Sequence, residues 1–274
     1  MSFVRMSRPS PRTVRRLIGI TLLVLWEAIP RLGILPELFI PPLTKTLHVL
    51  WTDLAIYAAA LLVTLSEVAA AMLIACGAGI LIGSVVGGVA SIRRMMLPVF
   101  SSLYAVPIVI LYPVFTAWFG IGSESKIAFA GVYGFFPVML STAAGIRTID
   151  EQYLLAARSM GASLPQLIAR VIIPASLPTV LAGLRLGGAL TIIGVVVSEM
   201  LTSANGIGYL VTKNRTTLDS PRVFAAIVVI LTISIVYDMA VRLLERRTLV
   251  WQTAGRRERA SEPAQTPLPA QTAA

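Results

Sequence analysis

Apolar residues fall in six runs of roughly bilayer length, and the stretches between them hold most of the charge. The runs cover about Leu17 to Leu35, Leu61 to Ala90, Leu97 to Phe119, Ile127 to Ile146, Val180 to Leu201 and Phe224 to Leu244. They predict an all-α polytopic membrane protein of about six transmembrane helices. Pro107 and Pro113 fall inside the third run and Pro137 inside the fourth. A spanning helix tolerates proline where neighbours satisfy the freed carbonyls, so the third helix is expected to bend rather than end. Small residues recur at four-residue spacing on the second run, at Ala71, Ala75, Gly79, Gly83 and Gly87. Such a stripe lets another backbone approach closely, as helices must where lipid removes the hydrophobic drive. Packing within the chain is the expected use, ahead of a seam between copies.

Three regions follow: a basic leader over 1–16, a membrane domain over 17–247, and a tail over 248–274. The tail is rich in Ala, Pro, Gln and Thr and is expected to lack fixed structure. A basic start before an apolar stretch also resembles a signal peptide. No small-x-small cleavage site follows cleanly and five more runs come after, so the first helix is expected to be retained. With the N-terminus in the cytoplasm, sixteen Lys and Arg fall on the inner side, six on the outer, and Arg185 within a span. That bias predicts a multi-pass protein of the bacterial inner membrane with both termini cytoplasmic.

Composition narrows the function. Charged residues make up 13% of the 274, about half the share of a soluble domain, and the mean hydropathy is +0.82. The net charge of +10 sits at the ends and in the connectors, with no interleaved aromatic residues to stack bases. That distribution suits an anionic membrane surface and argues against nucleic acid as a partner. The single cysteine, Cys76, and the single histidine, His48, give no disulfide framework and no metal site. No paired carboxylates, His cluster or Ser-Lys arrangement stands at membrane depth, so no catalytic residue is expected. None of the three lysines (Lys45, Lys126, Lys213) follows a glycine, which excludes a P-loop.

The connector over 147–178 is longer than two adjacent helices need, and long connectors in compact folds usually have a function. It reads as a helix-turn-helix. Thr148 with Glu151 fits a capping box, or Asp150 caps directly, before a helix through Tyr153, Leu154, Ala157 and Arg158. Gly161 supplies the turn, Ser163 with Gln166 fits a second box, and Pro174 is expected to stop the second helix. Leu154, Leu155 and Met160 are available as a peg for a partner protein.

Residues 155–174, LAARSMGASLPQLIARVIIP, resemble the E-A-A-x3-G-x9-I-x-L-P motif of permeases in binding-protein-dependent ABC importers. Ala156, Ala157, Gly161 and Pro174 fall at the motif's spacing, with Val171 and Ile173 as apolar substitutes. WFGIGSESKI at 118–127, GFFPVMLSTAAGIRTID at 134–150 and NGIGYL at 205–210 extend the resemblance over roughly 36–252, in particular to permeases for taurine, alkanesulfonates and nitrate. The resemblance implies the type I importer permease fold. It also implies a second permease copy, two ATPase subunits that bind ATP and Mg, and an extracytoplasmic solute-binding protein. The coupling loop, with Glu151, Leu154, Leu155, Ala156, Ala157, Arg158, Gly161, Ala162 and Pro174, would dock on the ATPase, and this chain would hold no cofactor. Leu155 departs from the motif, whose first position is usually Glu. Glu151, one turn earlier on the same face, is either its substitute or a partner of the helix dipole. A thiamine-precursor or other pyrimidine-type solute is the alternative cargo, and a stand-alone secondary transporter the alternative machine, which would need inverted repeats.

Ionisable groups within spans are functional candidates. Glu27 and Arg31 are spaced to pair, Arg185 is placed to snorkel, and Glu67 and Asp238 lie near span ends. Glu199, with Ser198, Thr191, Ser141 and Thr142, is a candidate for a polar pathway, against the plainer reading that these groups bond helix backbones.

Overall fold

The computed structural model describes residues 10–248. The leader before Ser10 and the tail after Thr248 lie outside the described residues. Among those described, the regular structure is all helical: α1 Pro11–Arg31, α2 Leu43–Thr52, α3 Leu54–Gly88, α4 Ala90–Ala105, α5 Tyr112–Phe119, α6 Ser123–Arg147, α7 Glu151–Ser159, α8 Leu164–Leu167, α9 Ile173–Thr202, α10 Ile207–Thr216 and α11 Ser220–Thr248.

Four stretches are long and apolar enough to cross a membrane: Leu54–Gly88, Ser123–Arg147, Leu164–Thr202 and Ser220–Thr248. A fifth arises if α4 is joined to Ile108–Phe119, but the two segments meet at 83°. The third run is therefore broken rather than gently bent. Val106 is extended (φ −72°, ψ 133°) because it precedes Pro107, and a 3-10 turn at Ile108–Leu111 leads into α5. The sixth expected span, α1, is helical but differs in kind. Arg12, Arg15, Arg16, Glu27 and Arg31 leave it only Leu17 to Trp26 free of charge, roughly 15 Å of helix against a hydrocarbon core of about 30 Å.

α3, α6 and α9 form the core, and α6 lies between the other two. Phe129, Ala130, Val138 and Met139 of α6 are fully buried. The stripe on α3 is used within the chain: a Cβ on Gly83 would stand 2.6 Å from the Met139 carbonyl oxygen and one on Gly87 2.8 Å from that of Ala143, while Gly79 leaves room for the Val138 side chain. Toward α9, a Cβ on Gly134 would stand 2.7 Å from the Gly187 carbonyl. Glycines on all three helices thus bring the backbones close together, as expected where dispersion replaces the hydrophobic drive. α11 joins through Tyr237, whose hydroxyl donates to the Leu184 carbonyl at 2.6 Å.

Two further helices, α2 and α10, have no counterpart among the six runs. α2 packs on α11 and ties to α1, where the Thr44 N–H and hydroxyl donate to Glu27 at 3.0 and 2.8 Å. Glu27 also pairs with Arg31 at 2.6 Å, as its spacing predicts. Arg185 does not simply snorkel, since it pairs with Asp238 at 2.6 Å, and Asp238 holds Arg242 at 2.7 Å as well.

Candidate functional site: an elbow and a far-end clasp

The elbow between α6 and α9 has the predicted helix-turn-helix form, with the second of the two expected caps and with one difference. Asp150 is the cap: its Oδ1 accepts the Gln152 N–H at 2.9 Å, while the Thr148 hydroxyl donates back to the Gly145 carbonyl. α7 then closes on Gly161 at φ +74°, a left-handed turn that glycine adopts without steric cost. The second capping box forms, with the Ser163 N–H donating to Gln166 Oε1 at 2.9 Å.

The difference is mechanical. Pro174 does not stop the helix. α8 passes through a π turn at Ile168–Ile172 into α9, so one helical rod runs from Leu164 to Thr202. Proline in a regular α-helix loses an N–H bond and clashes with the carbonyl four residues back. Here Pro174 lies in the first turn after the widened π turn, where the ladder already skips a residue. The second arm of the elbow is therefore continuous with a core helix, and α7 joins it through the Gly161 turn.

Its residues divide by exposure. Ala157 and Leu167, one on each short helix, are buried, and Leu154 and Ala162 are half-buried. Leu155 is 67% exposed and Met160 81%, and Leu164, Tyr153, Glu151, Ala156 and Arg158 are exposed too. Leu155, where the motif usually carries an acid, is thus an apolar side chain presented outward.

At the opposite end the core is tied by charge. Lys126 Nζ stands 2.5 Å from Glu67 Oε1, with side-chain exposures of 6% and 2%. Ser123 Oγ donates to the same Glu67 oxygen at 2.7 Å, and Lys126 donates to Ser203 Oγ at 3.1 Å. α3, α6 and the end of α9 meet there, beside a cavity of about 220 Å³ lined in part by Glu67, Ser123, Lys126, Ser203 and Asn205. The sequence places Lys126 in a connector, and nothing local marks it as buried.

The pathway candidates are mostly interior. Thr142, Thr191 and Ser198 are buried and donate to the carbonyls of Val138, Gly187 and Val195 on their own helices. Ser141 is half-buried and lies against Gly183. Glu199 is buried and grips the start of α10: its Oε2 accepts the Gly208 N–H at 2.7 Å and its Oε1 accepts the Thr64 hydroxyl at 2.7 Å. Thr64 Oγ1 in turn accepts the Ile207 N–H at 2.9 Å. Two free N–H groups of a helix start are thus satisfied by a carboxylate and its relay. Gly206 at φ +101° turns the chain directly beneath, against Glu199.

Comparison with known proteins agrees with this architecture. Residues 75–250 match the family model described as binding-protein-dependent transport system inner membrane component. The taurine transport system permease protein TauC of Escherichia coli is 31% identical over 259 residues, covering 89% of this chain and 92% of that one. The formylaminopyrimidine transport permease protein ThiX of Halalkalibacterium halodurans is 29% identical over 236 residues, covering 86% and 94%. A chain of the MetNI methionine ABC transporter in an inward-facing conformation superposes with a TM-score of 0.64 at 15% identity, over 72% of this chain and 98% of that chain, a likeness of fold. The chain belongs to the binding-protein-dependent inner membrane components: it is the permease subunit of an ATP-binding cassette importer, a transport subunit whose ATPase is a separate chain.

Proposed function

We propose that two copies of this chain form the translocation pathway over two ATPase subunits that bind ATP and Mg, with solute delivered by an extracytoplasmic binding protein. The observation that carries this reading is the unbroken rod from Leu164 to Thr202, which joins the exposed elbow to the core. A push on Leu155 or Met160 is transmitted to α9 and, through the close glycine contacts, to α6 and α3. Closure of the ATPases would then rock the core between inward-open and outward-open states. In this scheme 147–178 is the coupling segment within a 17–247 membrane domain. Within it Gly161 sets the turn, Ala157 packs it, and Pro174 sits in the continuous rod.

The sixteen-to-six distribution of Lys and Arg supports a cytoplasmic elbow and cytoplasmic termini in the inner membrane; the full 21 residues of α1, roughly 30 Å, would make the first crossing only with Arg15, Arg16 and Arg31 reaching out to the two surfaces. For Thr142, Thr191, Ser198 and Glu199 the proposed role moves from lining the pathway to holding its walls, supported by their burial and bonding. Ser141 keeps the pathway reading.

The proposed cargo is a small solute of the kind of an aliphatic sulfonate, taurine or nitrate, supported by the similarity to the taurine permease. A pyrimidine-type vitamin precursor is the second reading, supported by the equally extensive similarity to the formylaminopyrimidine permease. The test is uptake into proteoliposomes holding this chain, with the ATPase and binding protein encoded beside it in its genome. ATP-dependent accumulation of taurine or an alkanesulfonate is expected. Transport by the purified chain alone would instead make it a stand-alone carrier.

A further inference from the structure

The elbow's surface chemistry specifies more than a docking site. On α7, Glu151, Leu155 and Arg158 share one face by their i, i+4, i+7 spacing, opposite the buried Ala157. Leu155, Met160 and Leu164 are exposed apolar groups on the two arms of the turn. The same connector carries Arg147, Arg158 and Arg170, all exposed, and among the described residues none of the three pairs with a carboxylate. Of the two acids present, Asp150 is held by the Gln152 N–H as the cap, and Glu151 sits in the first turn where the helix dipole favours it. The elbow thus offers exposed apolar side chains together with unpaired cations, Arg158 on the same face as Leu155.

A bilayer surface is a poor match. An interfacial helix needs a continuous apolar face, and Leu155 has a charged residue on each side along its own stripe. The two short helices pack chiefly on each other and on the π turn, so the tip projects as a compact peg. A pocketed protein surface fits such a shape better.

We infer that the ATPase partner of this chain presents an apolar wall to Leu155 and Met160, ringed by carboxylates that meet Arg158 and Arg170, rather than a cationic pocket for an acid at position 155. This rests on the reading that the elbow docks on an ATPase. In interfaces of this kind the buried apolar anchor carries most of the affinity, and the charged rim steers the approach.

The test uses the full chain in nanodiscs and the ATPase subunit encoded beside it, with affinity measured by biolayer interferometry. Leu155→Glu is expected to weaken assembly by about tenfold or more, and Leu155→Met to leave it unchanged. Arg158→Glu with Arg170→Glu is expected to weaken it similarly, and raising salt from about 0.05 M to about 0.5 M to weaken the wild type but not that variant. Equal affinity for Leu155→Glu, or tighter binding, would overturn the inference while leaving the coupling role intact. So would arginine effects that follow the phosphatidylglycerol content of the nanodisc rather than the ATPase, since the surface would then belong to the membrane. Failure of the wild type to assemble at all would overturn the ATPase reading and this inference together.

Discussion

Lys126 reaches Glu67 across the far end of the core, with 2.5 Å between ammonium and carboxylate and almost no exposure of either side chain. Removing one partner strands a buried charge. Glu67→Gln or Lys126→Met alone is expected to destabilise the chain by roughly 3–5 kcal/mol, whereas the double variant recovers most of that loss. Thermal unfolding of the four proteins in detergent gives the cycle. Additive losses would mean that the two groups are held by other contacts.

Glu199 offers a sharper choice between roles. As the clasp of α10, its loss frees the Gly208 N–H and leaves the Thr64 hydroxyl only the longer bond to the Ala60 carbonyl, at 3.2 Å. Glu199→Ala should cost about 1–3 kcal/mol and increase amide exchange at 206–210. Glu199→Gln, which keeps an acceptor oxygen, should retain most of the protection. Unchanged exchange together with abolished uptake would return Glu199 to the pathway.

Glycine positions on α3 separate close contact from helix propensity. A Cβ on Gly83 meets the Met139 carbonyl at 2.6 Å, while one on Gly77 meets nothing within 4 Å. Gly83→Ala is expected to lower stability by about 1–3 kcal/mol through overpacking. Gly77→Ala is expected to raise it by up to about 1 kcal/mol through propensity. The same sign for both would remove the close-packing account of the stripe.

How far the sequence reveals this molecule depends on the range of each interaction. The stripe from Ala71 to Gly87 is legible because its spacing is a property of one helix, and it identifies the face that meets α6. The elbow is legible because caps and turns are local: Asp150, Gly161 and Ser163 each act within a few residues. Pro174 is misleading for the opposite reason, since a π turn is a property of the ladder and leaves no residue signature. Lys126 sits between serines and a run of apolar residues and reads as a loop charge. Only the fold brings Glu67 to it. α2 and α10 are ten residues each, too short to announce themselves beside spans of twenty-five or more.

Placement of the elbow relative to the membrane is open to a direct chemical test. In a background without Cys76, Ser163→Cys places a thiol on the exposed N-cap of α8. It should react with an impermeant maleimide in inside-out vesicles and stay unreacted in intact cells. The reverse pattern would turn the whole topology over.

Gly161 carries the coupling prediction. Its φ of +74° lies in the left-handed region, and a Cβ at this position would have no atom within 4 Å, so substitution there strains the turn without a clash. Gly161→Val is expected to cost about 1–2 kcal/mol of local conformational energy. That is enough to tilt α7 against α8 while leaving the core helices inserted. ATP hydrolysis by the assembled transporter should continue while solute uptake falls, because the partner would still be gripped but the Leu164–Thr202 rod would no longer be driven. The ratio of solute moved to ATP hydrolysed in proteoliposomes reads this directly. A variant whose uptake and hydrolysis fall in proportion would point instead to loss of assembly, and one in which both stay normal would remove the turn from the coupling route.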